Sequence, residues 1–153
     1  YRPSSWDSRN LISFTGGKKF KKDWEIGGRF TFEGGLPYTP FNVDESVFIP
    51  NWQVARQGLP DYDRLNSIRL ESFTQLDVRV DKKWFFEKWT LNLFLDIQNV
   101  LGTVAPTAPA LDIERDAAGN PIEDPNRPGF YIPRNVETSS GTVLPSIGII
   151  LEL

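Results

Sequence analysis

The sequence predicts an all-β fold: antiparallel strands of a transmembrane β-barrel, with about five long strands and two long loops. Three observations point there. Apolar and polar residues alternate with a period of two over several long stretches, and no stretch shows a period near 3.6. Aromatic residues crowd the short turns between those stretches. Short turns and long connections alternate along the chain, as in outer-membrane barrels, which have short turns at one end and longer loops at the other.

The clearest stretch is 73–100, FTQLDVRVDKKWFFEKWTLNLFLDIQNV. Leu76, Val78 and Val80 alternate with Asp77, Arg79 and Asp81; Leu91, Leu93, Leu95 and Ile97 alternate with Asn92, Asp96 and Gln98. This reads as a hairpin with one apolar and one polar face. Trp84, Phe85, Phe86 and Trp89 crowd its turn, and Trp is favoured at a membrane interface.

Earlier in the chain, 1–8 is polar and irregular. A strand is expected over 9–20, with Ile12, Phe14 and Gly16 on one face and Ser13, Thr15 and Lys19 on the other. Lys21, Lys22 and Asp23 make a turn. A second strand follows over 24–33, in which Trp24, Ile26, Gly28, Phe30 and Phe32 alternate with Glu25, Gly27, Arg29, Thr31 and Glu33. Phe20 and Trp24 flank this turn as aromatics flank the central one, and FKKDWEI weakly repeats FFEKWTL.

Residues 34–71 show no sustained period, carry Pro37, Pro40, Pro50 and Pro60, and read as a long loop. So does 102–141, with Pro106, Pro109, Pro121, Pro125, Pro128 and Pro133. Inside it a small hairpin is expected, 110–115 against 121–123 around the turn 116–120. The last strand is VLPSIGIILEL, with Val143, Pro145, Ile147, Ile149, Leu151 and Leu153 on one side. Ile150 interrupts its polar side, as Phe94 does on the preceding strand. Alternation of connections places both tight turns at one end of the sheet with Leu153.

Composition narrows the function. The chain has 153 residues, a formal charge of −3, and no Cys, His or Met. A negative chain has no electrostatic footprint for nucleic acid. Without Cys there is no disulfide framework or thiolate chemistry, and without His the usual general base and commonest transition-metal ligand are missing. The absence of Met reads as a fragment or a processed piece. No apolar run is long enough for a transmembrane helix. Barrel strands alternate, so their mean hydropathy resembles that of a soluble protein.

Charge placement agrees with a bilayer. A Lys or Arg facing lipid near the midplane costs about 2–4 kcal/mol. The strand middles carry no charge on the face assigned to lipid. The other face carries Glu25, Arg29, Glu33, Asp77, Arg79, Asp81 and Asp96, suited to a wet lumen.

Segments 27–41 (GGRFTFEGGLPYTPF), 64–100 and 141–153 (GTVLPSIGIILEL) resemble the C-terminal end of the barrel of TonB-dependent outer-membrane receptors, particularly those abundant in Bacteroidetes-type bacteria. The resemblance runs over nearly the whole chain. It implies that 1–153 is the C-terminal part of a barrel of about 22 strands with a plug in its lumen. It also implies location in the bacterial outer membrane and import of a scarce substrate. The implied partners are outer-membrane lipid, the rest of the barrel and the plug, the TonB energy-coupling complex, and in some cases a surface lipoprotein. Plug, coupling box and most of the barrel are not in this chain. The family usually ends on Phe or Trp, whereas this chain ends on Leu153.

No cofactor, metal site or catalytic residue is expected, and the chain does not read as an enzyme. Asp77 with Asp81 or Asp96 could imitate a glycosidase pair, but on a barrel wall they read as ion-pair partners of Arg79, Lys82 or neighbouring strands. Asp44, Glu45, Asp61 and Asp63, and the stretch 116–124, could offer oxygen ligands to calcium but lack EF-hand spacing; they read as solvated loop acids. Tyr38, Phe41, Trp52 and Tyr62 are candidate ligand-contacting loop aromatics. Phe20, Trp24, Trp84, Phe85, Phe86 and Trp89 are candidate membrane-interface anchors. Two other readings compete: a soluble secreted β-sandwich binding carbohydrate through its loop aromatics, and a small complete outer-membrane barrel.

Overall fold

The structure, a computed structural model, describes residues 2–137 and 141–153. In chain order its elements are strands β1 (Leu11–Phe20), β2 (Trp24–Glu33) and β3 (Pro37–Tyr38), helices α1 (Val43–Val47) and α2 (Ile49–Ala55), and strands β4 (Ile68–Arg69), β5 (Phe73–Phe85), β6 (Thr90–Gln98), β7 (Ala110–Ile113), β8 (Pro133–Val136) and β9 (Leu144–Glu152). Short 3₁₀ turns occupy Lys21–Asp23 and Tyr62–Arg64. The chain divides into two compact units.

The first unit (8–34, 72–105 and 140–153) is a five-stranded sheet in the order β1-β2-β5-β6-β9, antiparallel at every pairing. These are the five long strands expected from the period-two pattern. The first begins at Leu11 rather than Arg9, whose φ of 59° is incompatible with a strand. The sheet is open: β1 and β9 are its edges, with no closing pair among the described residues.

Register carries the alternation across strands. On one face Phe14 lies beside Phe30 and Leu76; below them Ile26, Val80, Leu95 and Ile147 form a row. Then come Phe20, Trp24, Lys82, Leu93 and Ile149, and finally Trp84, Leu91 and Leu151. A one-residue slip at any pairing would exchange the faces, so this match holds the register. Phe20 pairs with Trp24 across the first turn, Phe85 with Thr90 across the second, and Glu152 with Thr90. Both tight turns and the C-terminal end of β9 therefore share one end of the sheet. In the first turn Lys22 and Asp23 take φ of 63° and 58°. In the second, Phe86 N–H donates to the Trp89 carbonyl at 2.9 Å and their rings stack 4.0 Å apart.

The second unit (1–7, 35–71 and 106–139) is built from the two long connections. Its core is Val47, Trp52 and Ile113, with Phe130 and Tyr131 packed on it. Asn42 caps α1 by accepting from Glu45 N–H at 3.2 Å, and Ser46 Oγ accepts from Leu59 N–H at 2.8 Å. Arg56 ends α2 in the left-handed region, its N–H donating to the Trp52 carbonyl. Tyr131 N–H donates to the Val47 carbonyl at 2.9 Å, tying one connection to the other.

Two expectations are corrected here. Residues 34–71 are not a structureless loop; they hold two helices and a two-strand ladder of β3 with β4. Helices of 5 and 7 residues are too short to show a helical period in the sequence. In the second connection the turn 116–120 forms, with Arg115 bridging Pro121. However, the ladder partner of β7 is β8, not 121–123. Tyr1 and the end of the second connection, 138–140, lie outside the described residues.

Candidate functional site

The sheet's polar face carries a connected array of charged and polar side chains. Asp77 is its hub. Oδ2 accepts from Arg29 Nε at 3.1 Å and Nη2 at 2.8 Å; Oδ1 accepts from Gln75 Nε2 at 2.7 Å and from Asn99 N–H at 3.0 Å. Two positions along the same strand, Arg79 grips Asp81 with two parallel bonds, Nε to Oδ2 at 2.8 Å and Nη2 to Oδ1 at 2.9 Å. Asn92 Nδ2 donates to Asp81 Oδ1 at 3.0 Å, and its own buried Oδ1 has no partner among the described residues. At the edge Lys19 lies 3.9 Å from Glu25.

Beside these pairs the face dips. Gly17 and Gly27 stand opposite each other, and the next position in that row is Arg79, followed by Asp96. Missing side chains on two neighbouring strands leave a depression of about 460 Å³ walled by Glu25, Arg29, Asp77, Arg79, Asp96 and Gln98. Charged side chains and bare backbone line it together. The expected ion pairing of Asp77 and Asp81 is present, with Arg29 and Arg79 as partners. Lys82 is a correction: it belongs to the opposite, apolar face, because an even-numbered position on β5 shares the face of Leu76 and Val80.

Phe94 interrupts the polar face for a reason visible only across strands. It pairs with Gly148, and its ring covers the space a side chain at 148 would need. Arg79's guanidinium stacks on the same ring, 3.9 Å from its centroid. The ring thus covers bare backbone and supports the arginine that holds Asp81.

The turn aromatics divide between faces. Phe20, Trp24 and Trp84 lie on the apolar face, and Phe86 and Trp89 stack within the turn. Phe85 falls with the polar positions, beside Lys19, Asp23, Glu25 and Lys83.

The four loop aromatics do not share one cavity. Trp52 is only 5% exposed, in the core of the second unit, so it holds that unit together rather than presenting a surface. Phe41 lies on Gly58 and bridges Pro60. Tyr38 lines a hollow with Arg69, Leu70, Glu71, Pro106 and Glu137. Tyr62 is 70% exposed in its 3₁₀ turn. Sequence reasoning missed a second hollow, where Gln53, Arg56 and Arg115 meet Pro121, Tyr131 and the edge of Trp52. Arg56 and Arg115 lie on different connections, and no local pattern joins them.

Several of the acids weighed for calcium accept hydrogen bonds from the backbone, and one pairs with an arginine. Asp61 Oδ1 accepts from Asp63 N–H, Asp124 Oδ1 from Asn126 N–H, and Asp44 pairs with Arg127 at 2.9 Å. Asp116 accepts from Ala118 and Asn120 N–H and from Asn120 Nδ2. Among the described residues no group of three or more carboxylates is arranged for a metal ion. No helix among them is long and apolar enough to cross a membrane, which has no bearing on a β-barrel. Comparison of the chain with protein-family models, with curated proteins and with solved structures finds no match.

Proposed function

We propose that this chain is part of the wall of a TonB-dependent outer-membrane receptor, a plugged barrel that imports a scarce substrate. The observation that carries the reading is the exposed apolar face of the sheet. Four of the five strands place Phe14, Phe30, Ile26, Leu93, Leu95, Ile147, Ile149 and Leu151 on one surface, and all are more than a third exposed, Ile147 to 77%. A contiguous apolar surface of this kind needs a partner, because water would drive it together with another. Lipid meets that need across the whole face, and the ion-paired opposite face suits a wet lumen. Trp24, Trp84 and Trp89 at the tight turns match an interfacial belt. Under this reading the long connections face outward, where Tyr38, Phe41 and Tyr62 are placed to contact substrate. A soluble sandwich would instead bury Leu93 and Ile147 under a second sheet.

The chain lacks cysteine, so a single introduced cysteine reports one position. Ile147 and Ser146 are neighbours on β9 with opposite faces. A fluorophore at Ile147→Cys is expected to be quenched by brominated lipid in vesicles, and one at Ser146→Cys by aqueous iodide. Equal quenching of the two by either agent contradicts the proposal.

A further inference from the structure

Two lysines stand on the apolar face, toward the tight turns rather than in the strand middles. Lys18 pairs with Ile26, in the row that continues through Val80, Leu95 and Ile147. Lys82 lies one row nearer the tight turns, between Trp24 and Leu93. Both have apolar surroundings. The Lys82 ammonium lies 6.0 Å from the Trp24 ring centroid and 5.1 Å from that of Trp84, and Lys18 lies 5.5 Å from Phe20. Neither has a carboxylate within ion-pair distance among the described residues. Two nearby acids have other partners: Glu25 lies by Lys19 and Asp81 by Arg79.

An ammonium in this setting needs an anion or water, since its charge is poorly solvated against hydrocarbon. Lys82 Nζ donates to the carbonyls of Lys22 and Lys83. An ammonium has three donors, so one remains. The aromatic rings hold it near the turns, at the level where headgroups begin.

We propose that Lys18 and Lys82 bind the phosphodiester of an anionic phospholipid, with its acyl chains running down the apolar face away from the tight turns, past Ile26 and Val80. The site deepens the bilayer reading and rests on it. Two point charges suit a phosphate better than a zwitterionic headgroup, whose own cation they would repel. The chain's net charge of −3 would by itself disfavour an anionic membrane, so any preference for one must come from a local site.

The test compares the 153-residue chain partitioning into phosphatidylcholine vesicles and into vesicles with a third of that lipid replaced by phosphatidylglycerol. Binding to the second is expected to be stronger by about thirtyfold, the scale set by two lysines near an anionic surface. Lys18→Gln with Lys82→Gln should abolish the preference and leave neutral binding intact. Lys18→Arg with Lys82→Arg should keep it, and so should Lys21→Gln with Lys88→Gln, which removes the same charge from the turns. Good neutral binding with no preference overturns the lipid site alone. Equal loss in the two glutamine pairs overturns it too, in favour of diffuse attraction. Failure to enter either vesicle type overturns the bilayer reading, and the site with it.

Discussion

Asp77 accepts four hydrogen bonds on two oxygens, one of them from the backbone of Asn99 where β6 ends. A carboxylate can be this buried because each lone-pair direction meets a donor. Asn99, at φ 53°, also donates to the carbonyls of Thr103 and Thr142 through Nδ2, so one asparagine seats both the exit from β6 and the approach to β9. Short polar side chains tolerate that left-handed backbone better than most. Asp116 shows the same economy outside the sheet. Its carboxyl titrates below its ordinary 3.8, chiefly because the Asn120 side chain donates to it and then because backbone N–H groups do. A depressed value means that the folded turn favours the charged form. Its support for the turn is full above the ordinary value and lost as pH falls through the lowered one. The Ala118 and Asn120 amides should therefore exchange with solvent faster, relative to the intrinsic rate, only at strongly acid pH. Asp116→Asn should give the faster exchange at neutral pH as well, and exchange independent of both changes would refute the role.

At the scale of elements, α1 and α2 owe their existence to tertiary packing. Isolated helices of 5 and 7 residues do not form in water. Each offers one side chain, Val47 or Trp52, to a core shared with Ile113 from β7, and Ile113 is fully buried. Deleting the largest of these should be felt by the whole unit. Trp52→Ala is expected to destabilise the connections by about 3–5 kcal/mol. Limited proteolysis should then cut within 43–59 and 110–136 at least a hundredfold faster if cleavage follows the open population. Tyr62→Ala, at an exposed position, should change little. Equal protease sensitivity of the two variants would place Trp52 outside the core.

On the scale of the whole molecule, the five-stranded sheet has two long edges and one wide apolar face. Among the described residues, β1 and β9 each leave one row of backbone donors and acceptors unpaired by any strand. Neither edge is blunted by being short, since they run for 10 and 9 residues. In the proposed receptor these edges join the rest of the wall. Alone in water, the chain is expected to associate through them, giving heavy species in sedimentation velocity that detergent disperses. A detergent-free monomer with a cooperative melt would count against a membrane wall. What could be read from residues and what required coordinates divide along a physical line. Strand faces were legible because side-chain direction on a strand alternates with a period of two, a property of neighbours in the chain. The end shared by both Trp-rich turns followed from antiparallel pairing alone. Burial of Trp52, the pairing of β7 with β8, the meeting of Arg56 with Arg115 and the cover that Phe94 gives Gly148 were hidden. Each joins residues far apart in sequence, through helices shorter than two turns or ladders of a few residues, and such contacts leave no periodic trace.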